Sequence, residues 1–286
     1  MSLPSYDSLI VTRLRAAGCV FAEDEARLLI RTAQNPGDLA TMVERRIAGY
    51  PLEHVLGWAE FAGLRIAVEA GVFVPRRRTE FLIEQAAVLV REAVGSAEQA
   101  TALARLTTGT TITRPTAVVV DLCCGTGAMG AALVATLDRF ELHAVDIEPA
   151  AVRCARRNLT PIGGHVYEGD LYAPLPDSLR GHVDVLVASP PYVPTDAIRL
   201  LPPEARDHEP LVTLDGGADG LQTVRRLIAE APRWLAPGGY LLVETSERQA
   251  GPTMAAVSAA GLIPQLATDE ELDATVVIGT RFARHN

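Results

Sequence analysis

From Pro115 onward, short runs of β-branched residues alternate with amphipathic segments of helical periodicity. The runs do not alternate between apolar and polar residues, which indicates strands that are covered on both faces. Such a chain is expected to fold as an α/β protein with an open, mostly parallel sheet between two layers of helices. The predicted strands are TAVVVDL, ELHAVDI, HVYEGD, VDVLVAS, GYLLVET and TVVIGTR, and the predicted helices lie near 130–138, 149–158, 220–234 and 253–260.

The N-terminal part of the chain has a different pattern. Residues 1–55 show apolar residues at helical spacing between glycine and proline breaks, which predicts a small helical domain. Residues 56–76 alternate apolar and polar positions around two glycines, as in a β-hairpin linker, and the α/β domain is assigned to 77–286. Thr79 is placed to cap a helix over TEFLIEQAAVLVREAV, and the threonine-rich stretch 95–116 is predicted to be an exposed loop.

The charge and residue usage exclude several classes of chemistry. The chain has a net charge of -9 and no lysine, so Schiff-base chemistry, a Walker lysine and a lysine general base are excluded, and nucleic acid is disfavoured as a partner. The four cysteines form no CxxC pair, and the histidines have no ligand spacing, so neither a disulfide scaffold nor a metal site is expected. With no secretory signal and no apolar run of membrane-spanning length, the protein is expected in the cytoplasm.

A glycine-containing turn follows the first predicted strand of the α/β domain, in VVVDLCCGTGAMG. In a parallel sheet this turn lies at the carboxyl edge, where Gly125 and Gly127 allow the backbone and a ligand to approach closely. Asp121 ends this strand, and Asp146 ends the next one, where an acidic side chain commonly accepts both hydroxyl groups of a ribose. The pattern predicts a cofactor site, and by itself it fits a nicotinamide cofactor as well as S-adenosylmethionine.

Two later strands bring further polar groups to the same edge. The segment GDL places Asp170 where it can receive an adenine amino group. The segment VDVLVASPPYVP delivers Ser189 to Tyr192, and its two prolines hold the backbone extended and remove two N–H donors. The Ser189 oxygen and the Pro190 carbonyl can each accept one N–H of a substrate NH2 group, while Tyr192 stacks on a planar amide or base. This arrangement predicts methyl transfer to an amino or amide nitrogen.

The SPPY segment resembles the NPPY motif of amino-group methyltransferases, and its surroundings are similar to the HemK/PrmC type of protein N5-glutamine methyltransferase. The resemblance covers nearly the whole chain, through GYPLEHVLGWAEFAGL, VFVPRRRTEFLIE, DLCCGTGAMG, AVDIEPAAVRCARRN, GDL, SPPYVP, HEPLVTLDGGADGL and LAPGGYLLVETSERQ. It implies a helical N-terminal domain, a β-hairpin link and a Rossmann-like, seven-stranded class I methyltransferase domain. It also implies S-adenosylmethionine as cofactor and, as substrate, the glutamine of the GGQ loop in peptide-chain release factors.

The resemblance also implies roles for individual residues. Asp121 and the glycines of the turn are expected on the methionine side of the cofactor, Asp146 at the ribose and Asp170 near adenine. The amide is received by Ser189, Pro190, Pro191 and Tyr192, which are the predicted catalytic residues. The predicted cofactor-binding residues are Asp121, Cys123, Gly125, Gly127, Asp146, Ile147, Asp170, Leu171 and Ser189.

Three positions depart from the family's pattern. Cys123 occupies the first glycine of the DxGxGxG turn, so a positive φ there would strain the backbone. PRRRTE replaces PRPxTE and adds Arg77 and Arg78 near the inferred site entrance. Ser189 replaces asparagine, and because SPPY also occurs in enzymes that methylate cytosine amino groups, an exocyclic base amine in RNA or DNA is an alternative substrate. Together, Cys123 and Ser189 also leave open a non-catalytic cofactor-binding protein.

For several acidic residues and one histidine near these motifs, a structural role is favoured over a catalytic one. His208 and Glu209 can assist proton removal, but the segment that contains them is expected mainly to shape the site. Glu204 is expected in a solvated loop, with the substrate channel as its alternative environment. Glu244 ends a strand and is expected to support the SPPY segment from behind.

Overall fold

The computed structural model describes residues 6–92 and 116–283, and for Tyr6 only its backbone. The threonine-rich stretch predicted as a loop lies outside the described residues except for Thr116. The chain begins with four helices, and Asn35 caps the third by accepting the Asp38 N–H at 2.9 Å. Their apolar faces enclose a small core around Leu14 and Leu29. These helices are α1 (Tyr6–Ala16), α2 (Ala22–Thr32), α3 (Pro36–Ile47) and α4 (Leu52–Leu56).

A hairpin follows directly, as the alternating pattern predicts. Strands β1 (Trp58–Phe61) and β2 (Leu64–Ala67) pair antiparallel, with Ala62 and Gly63 in the turn at positive φ. The next helix, α5, covers residues 79–92. Thr79 is the first helical residue rather than the predicted cap. Its buried hydroxyl donates to Glu244 Oε2 at 2.6 Å.

The remaining strands form one seven-stranded sheet with the order β5-β4-β3-β6-β7-β9-β8. The first five strands in this order run parallel, and β9 is antiparallel to both β7 and β8. This arrangement confirms the predicted α/β, Rossmann-like fold. The strands are β3 (Ala117–Leu122), β4 (Phe140–Asp146), β5 (His165–Glu168), β6 (Val183–Ala188), β7 (Leu235–Thr245), β8 (Ile263–Asp269) and β9 (Ala274–Thr280).

Helices cover both faces of the sheet, and successive residues of β3 point into the two resulting cores. Val119 packs with α5, α6 (Ala128–Val134) and α7 (Pro149–Leu159). Val120 packs with α9 (Gln222–Trp234) and α10 (Glu247–Ala259). A short helix, α8 (Pro203–His208), lies between β6 and α9. Among the described residues, no helix has the length and apolar character needed to cross a membrane.

Several sequence-based boundaries were wrong, and one strand was not predicted. Helix α6 occupies 128–134 rather than 130–138, and α10 begins at Glu247 instead of near residue 253. Strand β8 was not predicted from its own pattern. It is the edge strand of the sheet and mostly exposed, and it contains Pro264, so it lacks the apolar β-branched run that identifies the central strands.

Candidate active site

A cavity of about 620 Å³ lies at the carboxyl edge of the sheet, where β3, β4 and β6 end. The loops after these strands line it, together with the segment before α5, the α8 segment and the start of α10. Open parallel sheets bind ligands at this edge, next to the point where the strand order reverses. Of the predicted site residues, it is lined by Cys123, Gly125, Asp146, Ile147, Asp170, Leu171, Ser189, Pro190, Pro191 and Tyr192.

The turn after β3 is shaped by three residues at positive φ. Gly125 and Gly127 have φ of 55° and 77°, values that glycine adopts without steric cost. Cys123 has φ 56° although it carries a side chain, so the strain expected at this departure from the family pattern is present. The turn is closed by the Gly127 N–H, which donates to the Cys124 carbonyl at 2.7 Å.

Asp146 is buried at the end of β4 and organises the turn from the neighbouring strand. Its Oδ2 accepts the Gly125 N–H at 2.8 Å, and its Oδ1 accepts the Glu148 N–H at 2.9 Å. Burial raises the pKa of this carboxyl, and the two N–H donors oppose that shift. Each oxygen retains acceptor capacity, so Asp146 can receive ligand hydroxyl groups on the cavity side.

Asp121 and Gly127 are not among the residues that line the cavity. The Asp121 side chain is fully buried behind the turn, and its Oδ2 accepts the Gly130 N–H at 2.8 Å. Its Oδ1 has no hydrogen-bond partner among the described residues. Burial, with a smaller contribution from Asp146, raises the pKa of Asp121 to about 7. An orphaned carboxylate oxygen behind this turn fits a site for a cofactor that carries positive charge.

The pKa of Asp121 leads to a prediction about stability. An unfolded aspartate ionises near pH 4, whereas folded Asp121 keeps its proton up to about pH 7. The ligand-free protein therefore loses stability as pH rises from about 4 to about 7, because the unfolded state releases this proton first. We expect the melting-temperature advantage of Asp121→Asn over the parent chain to grow across this window and to level off above it. Asp196→Asn, at an exposed position, provides the control and should show no such trend.

The loop after β5 contributes an ion pair to the lining of the cavity. Asp170 Oδ2 accepts from Arg226 Nη2 at 2.5 Å, and both side chains are about half exposed. Leu171, at φ 49°, turns the chain back into the core, where its side chain is buried. Arg226 was not anticipated as a site residue because it lies on α9, 56 residues from its partner. Only the packing of α9 beside the loop after β5 brings them together.

The SPPY segment leaves β6 and forms a wall of the cavity. The Ser189 hydroxyl has no hydrogen-bond partner among the described residues and can pair with a ligand. The two prolines that follow contribute carbonyl acceptors but no N–H donor. This geometry suits a group with two N–H donors.

The glycine-rich segment DGGADG lies directly against this wall. A Cβ at Gly220 would come within 2.3 Å of the Tyr192 carbonyl oxygen, and one at Gly216 within 2.7 Å of the Pro191 carbonyl oxygen. Gln249 Nε2 donates to the Tyr192 carbonyl at 2.9 Å and to the Asp219 carbonyl at 3.0 Å. The backbone of the SPPY segment is therefore held by close glycine contacts and by a buried amide.

Glu244 lies behind Tyr192, as the sequence suggested. Its side chain is 4% exposed and accepts from the Tyr192 hydroxyl, from Arg78 Nε and from the Thr79 hydroxyl. Arg78 lines the cavity, whereas Arg77 is exposed and does not. The sequence placed both arginines near the entrance but did not identify this network.

The remaining candidates have structural partners. Glu209 is buried and accepts from Arg76 Nη2 at 2.5 and 2.7 Å and from the Val74 N–H, so it holds the segment before α5 in place. Glu204 lines the cavity and accepts from Arg46 Nη1 at 2.6 Å, and His208 stacks on Tyr50. Both contacts join α8 to the helical N-terminal region. In the described part of the chain, no group of three or more His, Cys, Asp or Glu residues could hold a metal ion.

Comparison with known proteins gives consistent relatives. The family model "Methyltransferase small domain" matches residues 90–200. The release factor glutamine methyltransferase of Geobacter sulfurreducens is 34% identical over 87% of this chain and 80% of its own length. The enzyme of the same name from Streptomyces coelicolor is 37% identical over 73% of this chain and 68% of its own length. A 4-amino-L-phenylalanine/4-methylamino-L-phenylalanine methyltransferase of Streptomyces pristinaespiralis is 35% identical over 84% of this chain and 81% of its own length.

Proposed function

This chain belongs to the release factor glutamine methyltransferase family, and from that premise we propose that it methylates the side-chain amide nitrogen of a glutamine in a peptide-chain release factor. It is an S-adenosylmethionine-dependent methyltransferase. The observation that supports an amide acceptor most directly is the SPPY wall of the cavity, where the two prolines contribute carbonyl acceptors but no N–H and the Ser189 hydroxyl has no partner among the described residues. The GGQ glutamine is the proposed position of methylation.

We assign the cofactor to the half of the cavity formed by the loops after β3, β4 and β5. S-adenosylmethionine, when bound, supplies a methyl group attached to a positively charged sulfonium. Asp146 is proposed to accept the ribose hydroxyl groups, and Asp170 with Leu171 to flank the adenine. Gly125 lets the backbone approach the ligand, and the buried Asp121 carboxyl accepts the Gly130 N–H behind the turn.

The acceptor half of the cavity is assigned to the SPPY wall. An amide nitrogen is a weak nucleophile because its lone pair is delocalised, so its positioning supplies most of the catalysis. Ser189 Oγ and the Pro190 carbonyl each accept one N–H, which directs the nitrogen lone pair toward the methyl carbon and stabilises positive charge on the nitrogen as the new bond forms. After that bond has formed, the cationic nitrogen releases one proton to solvent. Tyr192 stacks on the amide plane.

The direct test is transfer of labelled methyl from S-adenosylmethionine to the purified release factor of the same organism, with mass spectrometry of the GGQ peptide. We expect one methyl group on the glutamine side chain. A release factor in which this glutamine is replaced by alanine provides the matched control. Cofactor binding without transfer to the parent release factor would contradict the proposal.

Replacing Ser189 by alanine separates turnover from cofactor affinity. The variant loses one hydrogen bond to the amide at the point where positive charge develops. We expect kcat to fall roughly tenfold to hundredfold, while the dissociation constant of S-adenosylmethionine stays within about threefold. Single-turnover methyl transfer and calorimetric titration of the cofactor measure the two quantities. An equal loss of both would contradict the assigned role.

An aromatic amine is a second candidate acceptor, and the Streptomyces pristinaespiralis relative favours it because its name specifies an arylamine substrate. An aniline NH2 presents the same two N–H donors to the SPPY wall, and its ring can stack on Tyr192. The transfer assay is therefore repeated with 4-amino-L-phenylalanine and with RNA and DNA fractions. Transfer to one of these, but not to the release factor, would replace the glutamine as the acceptor.

We further propose that residues 1–55 recognise the protein substrate and that residues 56–76 link them to the methyltransferase domain over 77–286. The contacts of Arg46 and Tyr50 with α8 support this arrangement, because α8 also contributes to the cavity. Since release factors act in translation, the proposal places the enzyme in the cytoplasm.

A further inference from the structure

Arg78 contacts both Tyr192 and Glu244, and the proposed methyl transfer assigns it no role. Its Nη2 donates to the Tyr192 hydroxyl at 2.6 Å, and its Nε donates to Glu244 Oε1 at 3.2 Å. Its Cζ lies 5.9 Å from the centroid of the Tyr192 ring, within the range of a cation–π contact. One guanidinium therefore contacts the hydroxyl and the ring of Tyr192 and the carboxylate behind it.

The hydrogen-bond directions in this cluster follow from the chemistry of its members. Arginine only donates, and an ionised carboxylate only accepts. The Tyr192 hydroxyl consequently accepts from Arg78 and donates its own proton to Glu244 Oε1 at 3.2 Å. The second carboxylate oxygen accepts from the Thr79 hydroxyl at 2.6 Å. Both hydrogen-bonding capacities of the phenol are used, and each points in a fixed direction.

The backbone of Tyr192 is held by different groups. Gln249 donates to its carbonyl, and the Gly220 backbone lies against the same carbonyl. Loss of the Arg78 guanidinium therefore leaves the backbone of the SPPY segment in place and removes one of the two hydrogen bonds that hold the Tyr192 hydroxyl. The Glu244 carboxylate, which is 4% exposed, would then keep only two neutral hydrogen-bond donors, the hydroxyl groups of Tyr192 and Thr79.

We propose that Arg78 is a positioning residue for the methyl acceptor. By holding the Tyr192 hydroxyl, directly and through Glu244, Arg78 keeps the Tyr192 ring against the group that Ser189 and Pro190 receive. This inference rests on the proposed function of the same site. It assigns a role to Arg78, which stands at the variable position of the family's PRPxTE, whereas the neighbouring Arg77 replaces its second proline. Arg77 takes no part, because it is exposed and does not line the cavity.

The test compares Arg78→Ala, Arg78→Lys and the matched control Arg77→Ala in methyl transfer to the purified release factor. We expect Arg78→Ala to lower kcat/KM for the acceptor roughly tenfold to hundredfold, the range for lost hydrogen bonds to charged groups. The dissociation constant of S-adenosylmethionine should change by less than about twofold. Arg78→Lys retains the charge and one donor and should recover part of the loss, and Arg77→Ala should behave like the parent chain.

A double-mutant cycle with Tyr192→Phe distinguishes positioning from a general structural role. The phenylalanine keeps the ring but removes the hydroxyl that Arg78 holds. We expect Arg78→Ala to cost no more than about threefold in the Tyr192→Phe background, because the two changes disrupt the same contact. Fully additive losses, or an Arg78→Ala variant as active as Arg77→Ala, would overturn the inference while leaving the proposed function intact.

A measurement without substrate tests the contact even if the release factor is not the acceptor. The chain has six tyrosines, and tyrosine labelled with ¹³C at Cζ gives a spectrum in which Tyr192→Phe identifies the Tyr192 signal. We expect Arg78→Ala to shift that signal, Arg78→Lys to shift it less, and Arg77→Ala to leave it unchanged. A Tyr192 signal that is the same in Arg78→Ala and in the parent chain would overturn the inference.

Discussion

Replacing Asp146 by alanine is expected to weaken S-adenosylmethionine binding by about 100-fold or more. The substitution removes the acceptor assigned to the ribose hydroxyl groups, and it also removes the partner of the Gly125 and Glu148 N–H groups. The turn after β3 therefore loses the contact that fixes it to β4. The cofactor loses both the acceptor of its ribose hydroxyl groups and the preformed backbone of the turn. Calorimetric titration of the folded variant with S-adenosylmethionine measures the effect.

Two further variants make this test specific. Asp146→Asn keeps one side-chain carbonyl as an acceptor and should bind the cofactor with intermediate affinity. Asp196→Ala removes an exposed carboxylate and should bind like the parent chain. A dissociation constant for Asp146→Ala within about threefold of the parent value would remove the ribose assignment. Circular dichroism on the same samples verifies that the variant is folded.

The second large effect is expected at Gly220, which lies against the SPPY wall. An added Cβ would come within 2.3 Å of the Tyr192 carbonyl oxygen and 2.4 Å of Gln249 Nε2, and φ at this position is +75°. The carbonyl belongs to the backbone of the wall, so the clash can be relieved only by moving the wall itself. We expect Gly220→Ala to lose roughly 3 kcal/mol of unfolding free energy or more, and most of its methyl-transfer activity.

Gly181 provides a matched control because it has nearly the same backbone conformation in open space. Its φ is +76°, and no heavy atom lies within 4 Å of an added Cβ. Gly181→Ala therefore has only the cost of a left-handed alanine, about 1–2 kcal/mol, and should retain full activity. Denaturant unfolding and the methyl-transfer assay compare the two variants. Equal stability and equal activity of the two variants would contradict the effect expected from the close approach of Gly220 to the Tyr192 carbonyl.

The local sequence determined much of the site because parallel sheets place their loops predictably. The residues at the carboxyl ends of three neighbouring strands, among them Cys123, Asp146 and Ser189, were assigned to one edge, and the structure brings them into one cavity. Cys123 also has a positive φ, the conformation for which backbone strain was expected at this position. These features depend on strand period, turn geometry and the rule that ligands bind at carboxyl edges, all of which are visible within short segments.

Other features depend on contacts between distant parts of the chain. Arg78 and Glu244 are 166 residues apart, and Arg46 and Glu204 are 158 apart, so no local pattern pairs them. The edge strand β8 lacks a local signal because exposure removes the apolar pattern of buried strands. Asp121 was expected beside the cofactor, but it lies buried behind the turn.

The sequence alone determined the α/β fold, the edge that holds the site and the family of the chain, because periodicity and motif order are encoded locally. The tertiary structure decided which side chains line the cavity and which support it from behind. It also decided which of two adjacent arginines, Arg77 or Arg78, contacts Tyr192. Charge, hydrogen-bond direction and close packing act between atoms only a few ångströms apart, and only the folded chain brings these atoms together.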